Sequence, residues 1–219
     1  MESHDAARKR SGPGAGVLAL LLAATACTAP QPVARTADAT QAAADPHAGS
    51  RILSGLSPVG PMATATETRA FAFLTLSVDC PVSNTVLPQF EDLSRRWAGR
   101  GIQFVEIYPN LDESNAQVME HRIEFGAALP AARDPEGAFC RRNGLRVTPQ
   151  VLLVAADGRI LYRGRLHDQF ESLGVRRPAP RRLDFERALE EWRSNGPGPL
   201  VETKAIGCRI RIPAPDGSR

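Results

Sequence analysis

The sequence contains only four cysteines, and this small number excludes two classes of protein. The cysteines are Cys27, Cys80, Cys140 and Cys208. They are too few for a small scaffold held together by disulfides. They are also spaced too widely for a compact zinc site, whose ligands come close together in the sequence. The role of each cysteine must therefore be inferred from its own neighbours.

Aromatic residues and excess charge are also scarce. Aromatic residues make up 5% of the 219 residues, and the formal net charge is +3. The basic residues are dispersed, and no basic run is interleaved with aromatic residues, so we expect no nucleic-acid partner. The length suits one domain of ordinary size with extra segments at its ends, and such a domain folds without disulfides.

The apolar run near the N-terminus, "AGVLALLLAATA", is too short to span a bilayer comfortably. It follows the basic residues 8–10 and predicts the apolar part of an export signal. Small residues then precede Cys27, and the segment resembles a bacterial lipoprotein signal in which this cysteine carries the lipid. Residues 24–26 would equally suit an ordinary signal peptidase, and an uncleaved anchor is the third alternative. All three place the mature protein outside the cytoplasm, where disulfides can persist. We expect a lipid-anchored protein of the bacterial cell envelope that faces the periplasm or the exterior.

The composition divides the chain into four segments. Residues 1–27 are the predicted signal peptide. Residues 28–60 are rich in Ala, Thr, Pro, Asp and Gly without a sustained apolar period, which predicts a flexible, disordered linker. Residues 61–195 form the predicted folded domain, and residues 196–219 form a C-terminal extension.

Apolar patterns in the folded segment predict alternating strands and helices. "RAFAFLTLSV" is typical of a strand buried on both faces, and Pro81 suits the first turn of the following helix. "IQFVEIYP" is the next strand, and residues 112–126 form the next helix. "QVLLVAADGRILYRG" reads as a hairpin, and a last helix covers about residues 183–194. The order predicts an α/β fold with a central mixed sheet flanked by helices.

Four features in this order resemble the thioredoxin fold, and more closely its redoxin branch of exported thioredoxin-like and peroxiredoxin-like proteins. Cys80 follows the first central strand and starts a helix, and Pro88 lies within that helix. "NGLRVTPQVLLV" is similar to the thioredoxin segment that contains the cis-proline, and "DGRILYRG" is similar to the final hairpin. The resemblance covers about residues 60–195.

The resemblance implies that Cys80 is the nucleophile and that Ser83, Thr148 and Pro149 shape its pocket, with a cis bond before Pro149. It implies no metal and no organic cofactor. A thiol attacks as its thiolate, which the N-terminus of a helix stabilises. Ser83 stands where the second cysteine of C-x-x-C would be, and it cannot attack a mixed disulfide. A C-x-x-S site therefore tends to hold its partner covalently until another thiol arrives.

Half of the peroxiredoxin cysteine motif is also present. Ser77 lies three residues before Cys80, at the position whose hydroxyl helps bind peroxide in that family, but Phe73 replaces the family's proline. Ser77 is otherwise an ordinary residue at the end of a strand. Because Ser77 matches the hydroxyl position of that motif, peroxide is a candidate substrate.

The other two cysteines of the folded part leave alternatives open. Cys140, in "EGAFCRRNG", is either a core residue on a short helix or a partner for another cysteine. Cys208 follows the last predicted helix and is either a resolving or structural cysteine or a free surface thiol. A bond between Cys80 and Cys208 would resolve the site internally, whereas a bond between Cys140 and Cys208 would leave Cys80 free.

Three functions remain open from the sequence. The first is thiol–disulfide exchange with envelope proteins or a small thiol reductant. The second is thiol peroxidase activity, in which Cys80 is oxidised to a sulfenic acid. The third is a non-catalytic binding module that holds a partner beside the cis-proline.

Overall fold

The computed structural model describes residues 48–62 and 67–213. The predicted signal peptide with Cys27, and residues 28–47 of the predicted linker, lie outside the described residues. Within the two described ranges, no helix is both long and apolar enough to cross a bilayer.

A mixed sheet of seven strands forms the centre of this part of the chain. Its strands are β1 (Ser57–Val59), β2 (Ala70–Thr75), β3 (Ile102–Tyr108), β4 (Ala131–Arg133), β6 (Gln150–Ala155), β7 (Ile160–Gly164) and β10 (Val201–Glu202). Their order across the sheet is β1-β4-β3-β2-β6-β7-β10. The central strand β2 is parallel to β3 and antiparallel to β6, and β6 and β7 form the predicted hairpin. Burial on both faces of β2 explains its unbroken apolar run.

Two further pairs of short strands lie outside this sheet. They are β5 (Val147–Thr148) with β11 (Cys208–Arg209), and β8 (Phe170–Ser172) with β9 (Val175–Arg176). The helices are α1 (Ala48–Ile52), α2 (Pro81–Arg96), α3 (Asn115–Glu124), α4 (Ala138–Asn143) and α5 (Asp184–Asn195). This mixed sheet flanked by helices confirms the predicted fold class.

The alternation of residues along β2 separates two cores. Ala72 and Leu74 face the first core, which α2 and α5 cover. Phe71 and Phe73 face the second core, where Phe73 packs against Phe139 of α4. Successive side chains of a strand point to opposite faces, so the two cores lie on opposite sides of the sheet.

The linker prediction is wrong for residues 48–60. Residues 48–52 form α1, and β1 pairs antiparallel with β4 at the edge of the sheet. Ile52, Leu53 and Leu56 pack against the second core, so this stretch buries apolar surface as part of the folded domain. Part of the predicted extension is also ordered, because β10 joins the main sheet beside β7.

Candidate active site

Cys80 lies where the chain passes from β2 into α2. It is the N-cap residue of the helix, and Pro81 occupies the first turn, where its missing N–H removes no helical hydrogen bond. The amide of Cys80 donates to the carbonyl of Ser77 at 3.2 Å and closes the preceding turn. The cysteine is thereby held at the positive end of a helix of 16 residues, where a thiolate is stabilised.

The loop that contains Pro149 meets Cys80 directly. The bond between Thr148 and Pro149 is cis, and the Cys80 thiol donates to the carbonyl of Thr148 at 3.1 Å. The Thr75 hydroxyl, at the end of β2, donates to the carbonyl of Val147 at 2.8 Å and braces this loop. The structure therefore brings Cys80, Thr148 and Pro149 together.

The C-terminal strand β11 covers the same loop. It pairs antiparallel with β5, and Cys208 lies opposite Thr148. Gly207 has no room for a side chain, because a Cβ atom there would lie 2.2 Å from the carbonyl oxygen of Thr148. Cys208 packs against the first core, to which Cys80 also belongs. The fold thus places a second cysteine beside Cys80.

Little space remains around this cluster. Cys80 is only 1% exposed, and a cavity of about 20 Å³ lies between Pro149 and Ile206 of the tail. Such a cavity holds about one water molecule. The tail therefore fills the groove beside the cis-proline.

The surroundings of Cys80 favour its thiolate. Burial acts to raise the pKa of Cys80, but the side chains and backbone amides of Cys208 and Ser83 outweigh it, and the net pKa is lowered. Burial raises the pKa of Cys208 to about 11, and its contact with Cys80 adds to that rise. Cys80 is therefore the first of the two thiols to ionise.

Comparison with known proteins finds solved structures that are similar to this chain. No protein-family model and no curated protein sequence matches the chain. An uncharacterized conserved protein from Geobacillus kaustophilus is 21% identical with a TM-score of 0.60, over 71% of this chain and 86% of that one. A hypothetical protein from Sinorhizobium meliloti is 19% identical with a TM-score of 0.59, over 73% of this chain and 91% of that one. A secreted Mycobacterium tuberculosis disulfide oxidoreductase, described as homologous to E. coli DsbE, is 15% identical with a TM-score of 0.42, over 51% of this chain and 82% of that one.

The arrangement around Cys80 decides the fold. The buried strand β2 leads into α2, whose N-cap is Cys80, and the parallel strand β3 follows. The cis bond before Pro149 then precedes the β6–β7 hairpin and the last helix, α5. The fold is thioredoxin-like. At the identities above, the likeness to solved structures concerns the fold alone.

Ser83 occupies the position at which many thioredoxin-like proteins carry a second cysteine. Its side chain is fully buried, and its hydroxyl makes no well-formed hydrogen bond among the described residues. Burial acts to raise the pKa of Cys80, and the nearby Ser83 side chain opposes that rise with a smaller effect than the Cys208 thiol.

Glu113 lies beside the turn that contains Ser77. Its Oε1 accepts from the amide of Val78 at 3.1 Å and from Asn110 at 2.7 Å. Burial raises the pKa of Glu113, against these hydrogen bonds, which lower it. Glu113 thus braces the turn that precedes Cys80. Sequence reasoning missed this residue, because "DES" reads only as the start of a helix.

Cys140 lies in the second core, away from Cys80 and Cys208 in the first. Burial, together with the nearby carboxylate of Asp134, raises the pKa of Cys140. The amide of Cys140 donates to Asp134 at 2.8 Å, which fixes the start of α4. The structure therefore does not bring Cys140 together with either candidate partner.

Metal ligands do not cluster in the part of the chain that the structure describes. No group of three or more His, Cys, Asp or Glu side chains in these two ranges could hold a metal ion.

Proposed function

We propose that this chain is an exported thiol–disulfide oxidoreductase in which Cys80 is the nucleophile. The observation that carries the proposal is the position of the Cys80 sulfur, between the start of α2 and the carbonyl of Thr148, with its pKa lowered. A depressed pKa at a helix N-terminus is the setting in which cysteines of disulfide oxidoreductases react.

The reaction begins when the Cys80 thiolate attacks one sulfur of a substrate disulfide. A mixed disulfide forms on Cys80, and the other substrate sulfur leaves as a thiolate. Ser83 stabilises the attacking thiolate but cannot release the product, since a hydroxyl does not displace a sulfur here. A second thiol completes the cycle, and neither a metal nor an organic cofactor takes part. The substrates are envelope proteins with disulfides, and the reductant is a small or protein thiol.

The full chain should therefore accelerate the reduction of a protein disulfide, such as that of insulin, by a small dithiol. Because the pKa of Cys80 is lowered, Cys80 should form its thiolate at lower pH than an ordinary thiol, so the wild-type rate should exceed that of the dithiol alone. The rate is measured from mildly acidic to mildly alkaline pH. A rate equal to that of the dithiol alone throughout this range would reject the proposal and favour a non-catalytic binding module.

No contact in the described structure favours the peroxidase alternative. The Ser77 hydroxyl, on which that alternative depends, lies near enough to the Glu113 carboxylate to act against the effect of burial on the pKa of Glu113. Thiol–disulfide exchange is accordingly the function we propose.

Export and lipid anchoring are proposed from the sequence alone. The basic residues 8–10, the short apolar run and Cys27 suggest a lipoprotein signal. We expect a radiolabelled fatty acid to attach to the wild-type chain in bacteria and not to the Cys27→Ser variant, because the thioether of that cysteine would carry the lipid. Equal labelling of both chains, or of neither, would reject the lipoprotein form.

A further inference from the structure

We propose that Cys208 is the resolving cysteine of this site, carried on a strand that also occupies the backbone edge beside the cis-proline. The proposal rests on the proposed function, in which Cys80 is the nucleophile. It supplies, from the far end of the chain, the second cysteine that the C-x-x-S motif lacks.

The geometry brings the two sulfurs to one peptide group. The Cys80 thiol donates to the Thr148 carbonyl at 3.1 Å, and Cys208 lies directly opposite Thr148 in the β5–β11 pair. The Cys208 side chain is also close enough to Cys80 to lower the pKa of the Cys80 thiol, against the effect of burial. Both cysteines are free thiols in this structure.

The chain holds Cys208 from both sides. Before it, the amide of Thr203 donates to the carbonyl of Arg163 at 3.1 Å, and after it, the amide of Ile210 donates to the carbonyl of Arg146 at 3.0 Å. Ile210 is also buried in the second core. The segment that carries Cys208 is therefore anchored to the fold at both ends.

The same strand blocks the approach to Cys80. It pairs with β5, Gly207 lies against the Thr148 carbonyl, and Cys80 is 1% exposed. A substrate disulfide can therefore reach Cys80 only when residues 204–209 move aside. The return of the strand brings Cys208 to the mixed disulfide and expels the bound product.

The steps balance with the substrate disulfide as the oxidant. The Cys80 thiolate attacks the substrate disulfide, one substrate thiolate leaves, and a mixed disulfide remains on Cys80. Cys208 gives its proton to the solvent and attacks Cys80 Sγ, so that the second substrate thiolate leaves and the Cys80–Cys208 disulfide forms. Two electrons pass from the protein to the substrate. An external dithiol then reduces the Cys80–Cys208 disulfide and restores both thiols.

The electrostatics support this order of events. After burial, the hydrogen bond and the negative charge of Cys80 are what raise the pKa of Cys208. Both contributions vanish when Cys80 forms a mixed disulfide, because its sulfur no longer carries a charge. Cys208 therefore becomes easier to ionise at the stage at which it must attack.

Three variants of the full chain distinguish the formation of the mixed disulfide on Cys80 from its resolution by Cys208. Cys208→Ser removes the resolving sulfur. Gly207→Ala keeps it but forces the strand away from Thr148, since the added Cβ would lie 2.2 Å from a backbone oxygen. Gly198→Ala is the matched control in the same tail, because a Cβ atom there meets nothing within 4 Å. Each reduced chain is mixed with oxidised glutathione, quenched in acid at intervals and alkylated. Each sample is then digested without reductant and analysed by mass spectrometry.

The wild type and Gly198→Ala should pass quickly through the Cys80–glutathione species to a Cys80–Cys208 linked peptide. Cys208→Ser should accumulate the glutathione adduct. Gly207→Ala should form that adduct faster, because Cys80 is uncovered, and convert it on the order of 10- to 100-fold more slowly, because Cys208 is misplaced. Opposite effects on the two steps would not follow from simple loss of structure.

Two other outcomes would overturn the proposal, and they are distinguishable. If the wild-type glutathione adduct forms but persists without a Cys80–Cys208 peptide, Cys208 does not resolve the site, while Cys80 remains the nucleophile. If Cys80 forms no adduct in any chain, Gly207→Ala included, the proposed function fails together with the resolving role.

Discussion

Replacement of Cys80 by serine should reduce the disulfide exchange of this protein to the uncatalysed rate. A serine hydroxyl does not ionise near neutral pH and forms no disulfide, so the first covalent step is lost. The environment of residue 80 changes little, because serine preserves the shape of the side chain at the N-cap of α2. The measurement is the reduction of a protein disulfide by a small dithiol, with the folded state checked by circular dichroism.

Cys140→Ala is the control for this loss. Cys140 lies in the second core, on the opposite side of the sheet, so its removal should leave the exchange rate near that of the wild type. If Cys80→Ser retains the rate and Cys140→Ala abolishes it, the nucleophile has been assigned to the wrong cysteine.

The Cys80→Ser variant also allows a measurement at Cys208. Burial raises the pKa of Cys208 to about 11, and Cys80 adds to that rise through a hydrogen bond and its charge. In Cys80→Ser the charge is absent, so the pKa of Cys208 should fall, and its alkylation should begin at lower pH than in the wild type. An unchanged alkylation profile would contradict the contact between the two thiols.

The parts of the site that could be predicted from the sequence depend on local signals. Pro81 marks the first turn of a helix, and the preceding run of Phe, Leu and Val marks a buried strand, so the position of Cys80 follows from adjacent residues. The segment around Pro149 is similarly recognisable, because its proline precedes an apolar strand and a clear hairpin turn.

The parts that could not be predicted depend on contacts between distant residues. Glu113 accepts from the amide of Val78, 35 residues away, and nothing in the local pattern indicates this contact. The pairing of Cys208 with Thr148 depends on a register that the short strand β11 does not encode by alternation. Likewise, β1 has only three residues and is defined by its partner β4, so the sequence indicates a linker there.

A buried ion pair gives the largest effect on stability that we expect outside the site. Arg122 of α3 contacts Glu106 of β3, whose side chain is fully buried, and it also donates to the carbonyl of Leu129 at 2.6 Å. Burial raises the pKa of Glu106 to about 9, so near neutral pH Arg122→Met leaves a protonated, buried carboxyl without its hydrogen-bond partner, which should lower the free energy of unfolding by about 1–3 kcal/mol. Arg96→Met, which breaks exposed pairs with Asp92 and Glu186, should lower it by less than about 1 kcal/mol. Both free energies of unfolding are measured by denaturation in urea. Equal losses in the two variants would show that the buried pair stabilises the fold no more than the exposed pairs do.

The effect of Arg122→Met should also depend on pH in a definite direction. Burial raises the pKa of Glu106 to about 9, and Arg122 is the group that opposes the rise. Without Arg122 the pKa in the folded state is higher still, while the unfolded chain keeps its ordinary low value. Between these two values the folded chain holds a proton that the unfolded chain has lost, so stability falls as the pH rises. The difference in stability between the wild type and Arg122→Met should therefore stay constant up to about pH 9 and widen above it, where Glu106 ionises beside Arg122 in the wild type but stays protonated in the variant. A difference that narrows there would contradict the contact between Arg122 and Glu106.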